Sequence, residues 1–551
     1  MPMNASDLTR RIRERTVAAW RESRTGLRPE QGGQALSEGD RQQRVLGDQS
    51  FFVNRVQLDS GSNIDDVRNN SFTISEILLE ALDDYLAYQA RQNFGPTRCA
   101  RLNYLWFASA AMAYNWVVDG TTISGTKDGW NWDEHHPLER SYDRCIWFTH
   151  ALAHLMPILF PEFQTGRLLT AERDRFRWTE DEQKIETARV QTAGHWSTWV
   201  TAWSSWLTNR AADGNVAAAI PPPAADLPNG TQTLAVALTE NPAMFPQPNK
   251  WTPLVVGTKT QKYLTYGWQD VRSTVLNAAA ESAIKSSADA FFVTDPAART
   301  AEIAEVVSIT AALTDAQKVS AEFWAGGPNT ISPPGMCIWF WKEFVRSRQV
   351  ADQTAVFSGL DLAIHVFETS RIVWGLKRDH MEARPIQEIR RLYRGQTLTG
   401  YNGLPVAGES WVPYQESNFV TPPFADFPSG HSAFSQSFAN VMTAWFGSAI
   451  PTTAAKQRTD MKLLSPALAS AQTVPFGTFV FPTGASQIQT GLPATAVTLS
   501  WPTWQHMADD AGLSRKYGGI HAASAHLGSQ VAANTLHTHL KTAWGILGSQ
   551  Q

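Results

Sequence analysis

Three short runs in the C-terminal half carry residues whose types and spacing suit them to hold and process a small oxyanion. The first, Lys377-Arg378-Asp379-His380-Met381-Glu382-Ala383-Arg384-Pro385, sets a lysine and an arginine seven positions apart. On one continuous helix seven residues make nearly two turns, which places both cations on one face about 10 Å apart along the axis. A Lys ammonium is a point charge and an Arg guanidinium a planar fork, so the two can approach one anion from different sides. The second run, Phe427-Pro428-Ser429-Gly430-His431, opens an amphipathic helix bearing Ala433, Phe434, Phe438, Val441 and Met442. Ser429 and the Gly430 N–H stand at the positive end of that helix, where a hydroxyl and backbone donors favour an oxyanion. His431 at the same mouth can give or take a proton near neutral pH. The third run, Ser514-Arg515-Lys516-Tyr517-Gly518-Gly519-Ile520-His521, adds a further arginine and a second histidine. An unbroken helix would point Arg515 and His521 apart, but Gly518-Gly519 is expected to interrupt it and let them converge.

Each run also has a plainer reading. The first resembles a solvated basic edge beside Arg378, Arg390, Arg391 and Arg394, and the second an ordinary serine cap. Taken together in this order they compose one pocket. It has three cations, backbone donors, an acid/base histidine and a second histidine placed as nucleophile or ligand.

The elements that must position these residues are helical. Ile74, Ile77, Leu78, Ala81, Leu82 and Tyr85 fall at i, i+3, i+4 spacing, with Gly95-Pro96 as a stop. Further helices are expected over 101–118, 139–160 and, from the capping-box start Thr179-Glu180-Asp181-Glu182, a long one reaching about 209. Helical patterning resumes at 268–292, 298–325, 337–349 and 352–382, then from His431 to about Phe446, with a last pair within 505–545. The Thr/Val/Phe runs of 449–500 suggest a small hairpin insertion. The expected fold is all-α, with two four-helix-bundle-like halves joined by long irregular connections. Its parts are an N-terminal arm (1–72), an N-terminal bundle (73–211), a Pro-rich connection (212–267) and a C-terminal bundle carrying the anion site (268–551).

Composition narrows the partners. In 551 residues, 47 Lys+Arg against 51 Asp+Glu leave no positive excess for a sequence-independent grip on nucleic acid or an anionic membrane. Charged residues at 18% and apolar ones at 43% describe a folded chain, and the 22 Trp predict large buried aromatic surfaces. Cys99, Cys145 and Cys337 show neither a disulfide framework nor metal spacing. No secretory signal is visible and the apolar run Tyr104 to Tyr114 is too short to span a bilayer. A soluble protein is expected, cytoplasmic or exported without a recognisable signal, with a homodimer plausible from the low charge and the Trp-rich N-terminal half. His150 and His154 stand i, i+4, but HALAH lacks the glutamate of a metalloprotease helix, so packing is the expected role. Asp133-Glu134-His135-His136 reads as a salt-bridged surface, and no P-loop, dinucleotide glycine motif or GxSxG elbow appears.

KxxxxxxRP, then PSGH, then SRxxxxxH resembles the superfamily that joins vanadium-dependent haloperoxidases with type 2 phosphatidic acid phosphatases, over about 374–521. Ala321-Glu322-Phe323-Trp324, Pro333-Pro334-Gly335 and the helix from Arg101 to Asp119 are more loosely similar to bacterial haloperoxidases. The resemblance implies that Lys377, Arg384 and Arg515 hold the oxygens of vanadate, with Ser429 and the Gly430 N–H adding hydrogen bonds. His521 would be the axial ligand and His431 the acid/base. Halide, bromide or chloride, would be oxidised by hydrogen peroxide to a hypohalous acid equivalent that halogenates a small organic acceptor. Phosphate would occupy the site when vanadate is absent. Trp374 and Phe424 match the apolar halide-side wall of fungal chloroperoxidases. The alternatives are a phosphomonoesterase in which His521 becomes a phosphohistidine, and an inactive anion-binding relative. In many relatives an Asp follows the ligand histidine by four residues and orients its ring. Ala525 stands there in this chain, leaving Ser524 as the nearby hydrogen-bonding substitute. Met336-Cys337 also departs from the polar or aromatic residues that relatives tend to carry after Gly335.

Overall fold

A computed structural model describes residues 73–545 apart from 119–122, 160–164, 177, 459, 469–470 and most of 216–246. The polar segment 1–72 lies outside the described residues. Among them the fold is all-α, with fifteen α-helices and only short strands. Contacts divide the chain into two compact units. One runs through Tyr88 and takes in Leu105–Thr208 and Arg348–Leu360; the other holds Gln89–Tyr104, Asn209–Ser347 and the chain from Asp361 onward.

Helix α1 (Ile74–Gln92), which lies in the first unit up to Tyr88, buries the six apolar positions that its spacing marks. Helix α2 (Pro96–Val117) begins five residues earlier than the apolar pattern suggests, because Pro96 takes the first helical position instead of acting as a stop. Helices α3 (Ser141–Leu159) and α4 (Thr165–Phe176) follow. The single helix expected from 179 to about 209 is two, α5 (Glu180–Ala193), with its Thr179/Glu182 capping box, and α6 (Trp196–Ala211). The break falls at Gly194-His195. A Cβ on Gly194 would lie 2.7 Å from the Trp147 ring, and His195 adopts φ +54°. Trp147, Trp196, Trp199 and Trp203 pack edge-to-face or stacked along this corner, and Trp203 donates to Ser109. His150 pairs with Glu172 at 3.0 Å and His154 lies edge-on to Trp196 and Trp203. Of the 22 Trp, thirteen are less than 2% exposed, so tryptophan serves as core here.

The second unit contains α7 (Ala278–Asp289), α8 (Pro296–Ala311), α9 (Asp315–Phe323), α10 (Ser332–Arg348) and most of α11 (Asp352–His380). It ends with α12 (Pro385–Leu392), α13 (Gly430–Phe446), α14 (Trp504–Tyr517) and α15 (Ala523–Trp544). The expected helix over 298–325 is divided between α8 and α9, where Thr314 caps the new start with Gln317 in a capping box. Helix α13 packs against α14 and α15, and α7 lies on α15. The insertion over 449–500 forms two antiparallel pairs, one of which runs Thr478↔Ser500 to Phe481↔Val497. Its Phe479 and Phe481 pack on Phe323 with centroids 4.7 and 6.1 Å away, which anchors the end of α9.

Helix α14 stops at Tyr517, and Gly519 follows at φ +69°. A Cβ on Gly519 would meet Pro413, Thr310 and Trp411 at 3.0–3.1 Å. Both the backbone region and the space therefore demand glycine. Gly519→Ala is expected to cost about 1–3 kcal/mol, read as a lower urea midpoint at unchanged slope. A cost below about 0.5 kcal/mol would show that the turn can relax around a side chain.

Candidate active site

Helix α11 ends at His380, Met381 takes φ +48°, and Arg384 becomes the N-cap residue of α12. Lys377 and Arg384 therefore do not share a helical face, as their spacing alone suggests. A turn intervenes, held by Trp251 N–H donating to Met381 O, Ala383 N–H to Asn249 O and Asp426 N–H to Glu382 O. The turn brings the two cations onto one loop. Lys377 Nζ donates to Ala425 O at 2.7 Å and Asp426 O at 3.0 Å, while Arg384 Nε donates to Phe424 O at 2.7 Å.

The same loop leads into α13. Ser429 is its N-cap, with Oγ accepting from the Ser432 N–H, and Gly430 is its first residue. The Ser429 N–H donates to Ala525 O, and Ser529 Oγ donates to Ser429 O, tying the cap to α15. Ring Nε2 of His431 is covered and has no hydrogen-bond partner, although the residue as a whole keeps some exposed surface. Arg515 near the end of α14 donates from Nη2 to Ala321 O of α9 at 2.7 Å. The Gly518-Gly519 break turns the chain back so that Ile520 O accepts from Arg384 Nη1 at 2.9 Å. His521 Nε2 then lies 3.1 Å from the same Nη1. The structure thus brings Lys377, Arg384, the start of α13 and His521 together around one loop, with Arg515 close enough to act electrostatically on His431. Trp374 and Phe424 stack obliquely with centroids 4.9 Å apart, and Lys377 Nζ stands 5.0 Å from the Phe424 ring.

Two residues of this constellation carry no signal in the sequence motifs. Asp426 places Oδ1 2.5 Å from His521 Nδ1, and Arg299 of α8 reaches Asp426, Glu388 and Glu382 at 3.2, 2.6 and 3.4 Å. Ser524, the expected substitute for a carboxylate at 525, faces elsewhere: its N–H and Oγ both donate to Glu302. The carboxylate beside the ring comes instead from the loop before α13. A weak cue for it exists, since Asp426 is the one acid in the otherwise apolar run from Val420 to Pro428.

Burial sets the electrostatics. It pushes the Lys377 ammonium well below its ordinary range, helped by the Arg384 charge and only partly opposed by Asp426 and Glu382. Burial lowers Arg384 to about 10 and Arg515 to about 9. His521 falls to about 3, through burial and then the Arg384 charge, against the pull of Asp426. His431 is also held well below its usual value, by burial and then by Arg515 and His521. For Asp426 burial acts upward, but His521, Arg299 and Arg384 outweigh it and hold the carboxylate ionised. Both histidines are therefore neutral bases in a net-positive pocket.

The donor set fits a tetrahedral oxyanion. Arg384 Nη2 is buried with no partner, as is His431 Nε2. A Cβ on Gly430 would meet only Phe434 and Trp374 at 3.7 Å, so no protein atom crowds the cradle at that glycine. Among the described residues no cluster of three metal-ligating side chains occurs, and no helix is long and apolar enough to cross a membrane.

Lys377 provides the test of this fit. Its lowered value means that the folded chain binds this proton less tightly than the unfolded one, so the anion-free protein gains stability as pH rises through that window. An oxyanion reverses the shift, and its benefit is largest where Lys377 is charged. A fixed millimolar phosphate concentration is expected to raise the melting temperature more near pH 7.5 than near pH 10. Lys377→Met should remove most of that difference. A melting temperature indifferent to phosphate at both pH values would contradict the assignment.

Residues 357–543 match the family described as the VCPO second helical-bundle domain. Three solved structures share the fold. A bacterial vanadium-dependent iodoperoxidase aligns with TM-score 0.58 at 16% identity, over 87% of this chain and 98% of its own. The apo form of a bacterial vanadium-dependent chloroperoxidase aligns with TM-score 0.55 at 15% identity, over 82% and 95%. A holo form gives 0.53 at 16%, over 81% and 94%. No curated protein sequence matches the chain. The segment holding every pocket residue except Arg299 and the Ala321 carbonyl thus matches the VCPO second helical-bundle domain, and the chain shares the fold of the solved bacterial vanadium-dependent haloperoxidases.

Proposed function

We propose that the protein is a vanadate-dependent haloperoxidase that oxidises halide with hydrogen peroxide to a hypohalous acid equivalent. The observation that carries this reading is one buried pocket in which three cations, a helix N-terminus and two neutral histidines converge. Lys377, Arg384 and Arg515, with Ser429 and the Gly430 N–H, are the residues to hold the oxygens of vanadate, and His521 Nε2 is its nitrogen ligand. Bound vanadate would act as the Lewis acid that activates hydrogen peroxide towards halide.

The rest of the chemistry falls to the side chains. His431 Nε2, neutral and without a partner, accepts a proton from entering hydrogen peroxide and later returns one to the departing oxygen. In balance, peroxide, halide and one proton give hypohalous acid and water. Trp374 and Phe424 strip water from the halide on the side where Lys377 supplies positive charge. That wall is compatible with chloride, and bromide, the easier oxidation, is the halide expected to react most readily. A phosphomonoesterase is the second reading, and the Asp426–His521 contact does not favour it, since it suits a ligand histidine as well as a nucleophile.

Protein soaked in vanadate is expected to brominate a cyclic dione with bromide and peroxide, with phosphate competing for the site. His521→Ala should abolish vanadate binding, and His431→Ala should lower the rate by about 10²–10⁴ while leaving vanadate bound. Absence of bromination from pH 5 to 8 in protein with bound vanadate would reject the reading. Turnover of an aryl phosphate, inhibited by vanadate, would install the phosphatase in its place.

A further inference from the structure

We propose that Asp426 is the positioning residue of His521, supplied from the loop before α13 in place of a carboxylate on α15. The inference rests on the reading of His521 as the nitrogen ligand. Its geometry is specific. Nε2 of His521 lies 3.1 Å from Arg384 Nη1, which can only donate, and Nδ1 lies 2.5 Å from Asp426 Oδ1 in an ion-pair contact that is not aligned as a hydrogen bond. The ring proton therefore sits on Nδ1, and the Nε2 lone pair points to the cationic side of the pocket. Helix α15 offers no substitute. Ala525 has no polar side-chain atom, and Ser524 is committed to Glu302.

Asp426 is itself fixed from every side. Its N–H donates to Glu382 O, its carbonyl accepts from Lys377 Nζ, and Oδ2 accepts from Arg299 Nη2 at 3.2 Å. A residue held at these three points presents its carboxylate to the imidazole in a fixed position. The same residue links the ligand to Lys377, whose ammonium it orients through its backbone. Position 426 thus ties the histidine on one side of the pocket to a cation on the other.

The test compares two tetrahedral anions on the full chain without added metal, by titration calorimetry. Vanadate can take a bond from a histidine nitrogen; inorganic phosphate cannot, and reads only the cations. Asp426→Asn is expected to weaken vanadate binding about 10–100-fold. Phosphate binding should stay level or tighten, because a negative charge has left the pocket. Equal loss for both anions means a merely structural role and overturns the proposal, as does unchanged binding of both. If Asp426→Asn does not fold, Asp426→Glu serves. It keeps the charge for Arg299 but moves the oxygens, and is expected to reduce the preference for vanadate over phosphate. An unchanged preference overturns the proposal. Adding Ala525→Asp to Asp426→Asn should recover part of the vanadate affinity. A wild-type chain that binds phosphate but shows no preference for vanadate would instead refute the haloperoxidase reading.

Discussion

The structure depends on keeping three cations buried together without neutralising them. Two unit charges about 4 Å apart interact by about 4 kcal/mol even at an effective dielectric near 20. Lys377, Arg384 and Arg515 are all essentially without exposed surface. The chain meets this cost mainly with carbonyl dipoles. Ala425, Asp426, Phe424, Ile520 and Ala321 each turn a backbone oxygen to one of the three. Dipoles lower the cost of burial but leave the net charge in place, so the pocket remains attractive to an anion. Asp426 is the carboxylate beside the pocket, and Glu382 and Glu388 join it on Arg299.

Much of the surrounding architecture follows from that arrangement. The loop 424–426 must present its carbonyls inward, and the turn at Met381 must separate Lys377 from Arg384 so that they reach it from two directions. Helix α9 must end where Ala321 O faces Arg515, and the aromatic hairpin Phe479–Phe481 packed on Phe323 secures that end. The insertion, which lies between the second and third motifs, thereby supports the pocket.

What the sequence makes legible is local. The Ser429 cap, the start of α13 and the break after Tyr517 each follow from the chemistry of two or three adjacent residues. The capping box at Thr179 is equally plain, yet Gly194 ends that helix because Trp147 packs where a Cβ would stand. That contact lies 47 positions away. The shared face assigned to Lys377 and Arg384 fails for a similar reason. Nothing between them marks Met381 as left-handed, since the turn is held by an isolated antiparallel bridge between Lys250 and Glu382. Arg299 and Asp426 escape motif reading because their partners lie 127 and 95 positions off.

The two pocket histidines show how one field yields two roles. Burial and neighbouring positive charge depress both, so neither carries a proton that would repel the cations or block its lone pair. They differ in their partners. His521 is clamped between a carboxylate and a guanidinium, which fixes its tautomer and denies it the freedom to rotate or exchange protons. His431 has no partner on Nε2, so that nitrogen is free to take up a proton and give it back. A ligand needs the first environment and a proton carrier the second. The division of labour follows from Asp426 lying beside one ring and not the other.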